Sequence, residues 1–250
     1  MIDAFKTLTF DLYSLEDFAR AELASAVLER MRGCPPPLFP RRFRVAAGTF
    51  REIDWPGAEQ TLAAWLAPAK AAVLPEWQNI VSLESGVGSG FMVHWSKGAP
   101  EPSFSTVGGW CDLACFAARP SLLGQFEELV AALVGIVRPV YGEIRNMSHP
   151  GAGMPLDLKL RLPDVPWASI YGPPYVQMFG RDKVLSAPFF RVVERGEYLV
   201  AYLSESPFGP DDEGRRAAIR SYLGERSFMT GPRWPYRDGV APHFDSSRVE

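Results

Sequence analysis

The chain has 250 residues, 47% of them hydrophobic and 22% charged, so it can bury a sizeable core and has ordinary globular composition. Lys and Arg total 26 against 29 Asp and Glu, a net charge of -3 that gives no reason to expect nucleic acid, because phosphate binding needs a concentrated basic surface. No nucleic acid partner is therefore expected.

The strand and helix signals come in chain order. "KTLTFDLY" (6–13) has the β-branched and aromatic content of a strand. Ser14 reads as a helix N-cap with Asp17 at N3, followed by Leu15, Phe18, Leu23, Val27 and Met31 at near-helical spacing. "GCPPPLFP" (33–40) stops that helix, because proline lacks the amide donor and constrains its predecessor. "RFRVAAGTFREI" (42–53) predicts one strand with a bulge at Gly48, where the apolar parity changes. Asp54 and Pro56 open a helix carrying Leu62, Trp65 and Leu66.

"NIVSLES" (79–85) and "GFMVHWS" (90–96) predict two strands across a glycine-rich turn, and "SFSTVGGWCDLACF" (103–116) a further strand or two, interrupted at Gly108-Gly109. The clearest helix starts at Ser121, with Leu122, Phe126, Leu129, Val130, Leu133, Val134 and Val137 on one wide apolar face. Pro139 and Gly142 close it. "FFRVVERGEYLVAYLSES" (189–206) reads as a hairpin turning near Arg195-Gly196, and "GPDDEGRRAAIRSYLG" (209–224) as a capped helix. Strands in adjacent pairs, without strict β-α alternation, predict an α+β fold: a largely antiparallel sheet with helices packed over a face. A single domain over 1–228 with an irregular tail at 229–250 is expected.

Few residues suggest reaction chemistry. "GVGSG" (86–90) lacks the Lys-Ser/Thr pair of a phosphate loop and the flanking glycines of a nucleophile elbow, so it reads as a hairpin loop. Cys111 and Cys115 lie four apart without the further ligands zinc needs, and read as small buried hydrophobes. His94, His149 and His243 are scattered. The odd count of three cysteines, with Cys34, argues against a disulfide framework and for a reducing compartment. "MIDAFKTLTF" shows no leader pattern, and no apolar run reaches the ~20 residues of a membrane span. The expectation is a soluble cytoplasmic protein with no membrane partner, no metal and no cofactor. The basic clusters Arg41, Arg42, Arg44 and Arg215, Arg216, Arg220 read as solvated faces, as do Glu127-Glu128, Asp211-Asp212 and Glu194 with Glu197. Glu84 and Asp112 stand out as acids among apolar strand residues.

The most distinctive stretch is "IYGPPYVQMFGRDKVLSAP" (170–188). Gly172, Pro173 and Pro174 make a rigid elbow into a short helix or turn, whose aromatic residues pin it to the core. Together with "YLSESPF" beyond it, this stretch resembles the immunity-protein-52 type of family of bacterial polymorphic toxin systems. The shared features are Gly-Pro-Pro-Tyr-Val, then Phe-Gly, then a Leu-x-x-Pro ending, with a looser match through "GGW" (108–110) and "VYGEIRN" (140–146). The resemblance implies a non-enzymatic immunity protein that binds a cognate toxin protein and occludes its active site. Such a surface needs aromatic anchors and complementary charge. The candidates are Trp110, Tyr171, Tyr175, Trp234 and Tyr236, with Glu84, Asp112 and Asp211 as charge contributors. The competing readings are a small hydrolase, in which His94 or a cysteine meets an acid in a deep pocket, and a structural module of a secretion system.

Overall fold

The computed structural model describes residues 6–45, 48–55, 59–67, 79–86, 88–95, 103–149, 157–229 and 240–244. Among them, seven α-helices and ten strands make an α+β fold whose sheet is antiparallel, as expected. The chain divides into two compact units. One is built on Thr9–Pro139, the other on Val140–Asp245 with Asp3–Leu8.

In the first unit the strand order is β3 (Arg51–Glu52), β2 (Arg42–Val45), β4 (Asn79–Glu84), β5 (Ser89–Trp95), β6 (Ser105–Asp112) and β1 (Thr7–Ser14). The helices are α1 (Ala21–Arg32), α2 (Glu59–Leu66), α3 (Leu113–Ala118) and α4 (Leu122–Val137). Alternation in β1 buries Leu8, Phe10, Leu12 and Ser14. Phe10 meets the Phe126 ring of α4 edge-on at 5.6 Å, and Phe116 meets Phe126 at 5.8 Å. All seven apolar positions read for α4 are buried.

Three local readings differ from the structure. Ser14 is not an N-cap of α1. It ends β1, where its hydroxyl donates to the Val137 carbonyl at 2.5 Å, while α1 begins at Ala21 without a side-chain cap. A strand residue on the buried side finds a carbonyl partner across the core before it can cap a helix. Gly48 does not mark a bulge: β2 and β3 pair antiparallel, Arg42 opposite Glu52, so the parity change records a chain reversal. Gly108 and Gly109 do not interrupt a strand but lie within β6. A Cβ on Gly109 would sit 2.5 Å from the Phe10 ring and 2.7 Å from that of Phe91, so glycine is what admits both aromatics.

In the second unit the strand order is β7 (Tyr141–Asn146), β8 (Ala168–Tyr171), β10 (Tyr198–Tyr202) and β9 (Arg191–Arg195), with α5 (Pro173–Phe179), α6 (Arg181–Ser186) and α7 (Glu213–Leu223). The Gly172-Pro173-Pro174 elbow opens α5 directly from β8. Gly180, at φ 87°, separates α5 from α6. The hairpin turns at Gly196, at φ 62°, as read. Tyr141, Tyr171, Tyr175 and Phe179 pack ring against ring, with centroids 5.7–6.2 Å apart.

The cluster Arg215, Arg216, Arg220 is not wholly a solvated face. Arg216 is buried, donates to the Val165 carbonyl at 2.8 Å and pairs with Asp211. Arg220 bridges Asp164 at 2.5 Å and Glu213 at 2.6 Å. Helical spacing turns part of a basic run inward when carboxylates stand ready to neutralise it.

Candidate interaction site

The first unit's sheet carries a row of side chains across five strands on the side opposite Phe10 and Phe91. Register places Glu52, Arg42, Glu84, Gly90 and Trp110 directly opposite one another in turn, and residues so paired project from the same face. Arg42 bonds the Glu84 carboxylate at 3.1 Å. The Trp110 indole lies across Gly90, where a Cβ would come within 2.4 Å of the ring. The next row runs Arg44, Ser82, Met92 and Gly108, and the Arg42 and Arg44 guanidiniums stand 5.3 and 4.7 Å from the Phe50 ring centre. Met92 is 42% exposed. Arginine, aromatic and methionine side chains on a partly exposed sheet face have the composition of protein-binding surfaces.

His94 follows on the same face, opposite Ile80 and Thr106. Burial pulls its imidazole from an ordinary 6.5 down to about 4. Between those values the unfolded chain takes a proton at His94 that the folded chain refuses. This contribution to stability is present above pH 6.5 and is lost as pH falls toward 4. His94→Gln is expected to make the acid-side decline in unfolding free energy, read by urea denaturation, shallower by up to about 3 kcal/mol at pH 4. An unchanged decline would show that His94 is not the titrating group.

Beside the first row lies a cleft of about 300 Å³, lined by Pro36, Phe39, Arg41, Ser85, Cys115 and Arg119 among others. Three distant segments build it. The proline run after α1 supplies one wall, α3 another, and the β4–β5 hairpin the floor. The hairpin closes through Ser85 N–H to the Ser89 carbonyl at 3.1 Å, and Gly86 and Gly88, at φ 81° and 66°, make its turn. Gly88 also lies against α3: a Cβ there would sit 3.2 Å from Cys115 Sγ. "GVGSG" is the hairpin loop expected, with Val87 outside the described residues.

The expected site residues separate sharply. Glu84 and Trp110 share the row just described. Asp112 caps α3, accepting the Ala114 amide at 2.9 Å. Asp211 pairs with Arg216 in the second unit. Tyr171 and Tyr175 are corrected from surface anchors to core residues: both are fully buried, and the Tyr175 hydroxyl donates to the Leu158 carbonyl at 3.3 Å. A ring with no accessible surface offers a partner nothing to touch. Trp234 and Tyr236 lie outside the described residues. Arg42, Arg44, Phe50 and Met92 were not singled out as site residues, since their grouping depends on strand register; only the Arg42/Arg44 proximity was visible.

Cys111 is buried and Cys115 only partly so, and burial beside Cys115 pushes the Cys111 thiol strongly up. Among the described residues, no group of three His, Cys, Asp or Glu side chains is placed to hold a metal ion, and no helix is long and apolar enough to cross a membrane.

No protein-family model and no curated protein matches the sequence. Among solved structures, the fold is similar to that of the Pseudomonas aeruginosa T6SS protein PA0821, with a TM-score of 0.60 over 86% of this chain and 72% of that one. The two are 11% identical, so what they share is the fold.

Proposed function

We propose that this chain is an immunity protein, which binds a toxin made by the same cell and neutralises it by covering the toxin's active site. The observation that carries the reading is the fold held in common with a T6SS protein over 86% of the chain. The resemblance of residues 170–188 to the immunity-protein-52 type points the same way, while no family model matches the chain. In this reading the second unit's buried aromatic elbow is scaffold. The working surface is the face of the first unit that carries Trp110, Met92 and Phe50 beside Arg42, Arg44 and Glu84.

That assignment makes Trp110 the central anchor. An indole spread over a glycine is rigid and contributes contact area at little entropic cost. Trp110→Ala is expected to weaken the toxin complex by about 2 kcal/mol or more, roughly thirtyfold in Kd, while leaving the circular dichroism spectrum unchanged. The check is calorimetric titration of wild type and variant with the toxin captured on this chain from its own cells. Equal affinities would remove this face from the interface.

A further inference from the structure

We infer that the cleft of the first unit receives an acidic side chain of the toxin, held between the guanidiniums of Arg41 and Arg119. The inference rests on the functional reading above and adds the chemistry of the partner at that surface.

Arg41 is exposed, and its guanidinium has no hydrogen bond or ion pair among the described residues, although its backbone is held at both ends. Its amide donates to the Glu84 carbonyl at 2.7 Å, and its carbonyl accepts from Ile53 at 2.7 Å. Arg119, also exposed, is tethered by one bond to the Pro36 carbonyl, which leaves the rest of its five donors for a ligand. The nearby carboxylates are engaged elsewhere. Glu84 is paired with Arg42, and Asp112 caps α3. The cleft is thus locally cationic in a chain whose net charge is -3.

Its other walls select among anions. Pro36 and Phe39 present apolar surface, and Phe39 is braced by Trp55 at 5.5 Å. That wall suits the methylenes of Glu or Asp, whereas a free phosphate would lose hydration against it with no return. The planar fork of arginine matches a carboxylate. At about 300 Å³ the space is at the small end for ligand pockets and suits one or two side chains.

Cys115 lines the same space and, as the most accessible of the three cysteines, reports on its occupancy, since Cys34 and Cys111 are only 8% and 0% exposed. Alkylation of Cys115 in the isolated chain, followed by peptide mass spectrometry, is the test. Tetraglutamate at millimolar concentration is expected to slow it severalfold, tetraglutamine and inorganic phosphate to leave it unchanged, and the double variant R41Q/R119Q to abolish the protection. Absence of protection by tetraglutamate, or equal protection by tetraglutamine or phosphate, would overturn the inference. With the toxin itself, R41E/R119E is expected to bind at least about tenfold more weakly than wild type. Unchanged binding by that variant would overturn the cleft's part alone. Failure of wild type to bind the toxin, with Cys115 still protected by tetraglutamate, would overturn the functional reading alone.

Discussion

Replacing Phe126 with alanine is expected to destabilise the first unit by about 3–5 kcal/mol, among the largest losses a single substitution there can give. Phe126 is fully buried at the point where α4 meets β1 and α3, edge-on to Phe10 at 5.6 Å and to Phe116 at 5.8 Å. Truncation removes the ring's transfer energy and leaves a hole that the sheet cannot close. Urea denaturation followed by tryptophan fluorescence reads the change as a lowered midpoint. Leu at the same position, which refills part of the volume, is expected to recover about half of the loss. A Phe126→Ala midpoint within error of wild type would mean that this aromatic cluster is not the unit's core.

The second large effect lies in β7. Glu143 and Arg145 are both buried and sit two residues apart on one side of the strand, joined by bonds of 2.9 and 3.3 Å. The Tyr141 hydroxyl donates to the same carboxylate at 3.3 Å, and Arg145 also reaches the Asp164 carbonyl at 3.3 Å. Burial and the Glu143 charge together push the Tyr141 phenol well up, so it stays a donor. Glu143→Gln keeps the shape but strands a buried guanidinium, at a cost of about 3–5 kcal/mol. The double variant Glu143→Leu with Arg145→Met removes both charges and is expected to cost less than Glu143→Gln alone. If the double change costs as much as the sum of the single ones, the two side chains are not coupled.

Those two sites mark what could and could not be read before the fold was known. All seven apolar positions of α4 were legible, because one wide helical stripe needs no knowledge of its partners. The β4–β5 and β9–β10 hairpins were legible through their glycine turns. β7 was not: "YGEIRN" mixes Glu, Arg and Asn and looks like a helix end, yet every residue in it is buried. Only the pairing of Glu143 with Arg145 makes a charged strand stable in the interior, and nothing local announces it. Gly108-Gly109 misled for a related reason. Glycine reads as an interruption until Phe10, nearly a hundred positions earlier in the chain, is seen to need the room.

The candidate site was legible in part. Glu84 stood out as an acid among apolar strand residues and Trp110 only as an aromatic anchor that the family resemblance suggested, and register places them in one row. Their neighbours Arg42, Phe50 and Met92 come from three other places in the chain and meet only through the antiparallel pairing of β2, β4 and β5. Tyr171 and Tyr175 misled in the opposite sense. A tyrosine-rich, proline-fixed segment has the composition of a binding loop, but its rigidity here serves to drive both rings into the second unit's core.

The central claim is that the chain acts by covering a toxin, one molecule for one, without turnover. The direct measurement is to capture the protein's partner from its own cells, titrate a fixed amount of it with purified chain and follow the partner's toxic activity. The account predicts a straight decline that reaches zero at the equimolar point and persists at every time of mixing. Activity lost progressively at a small fraction of that ratio would reveal catalysis, and activity untouched by excess chain would reveal no neutralisation; either result contradicts the account.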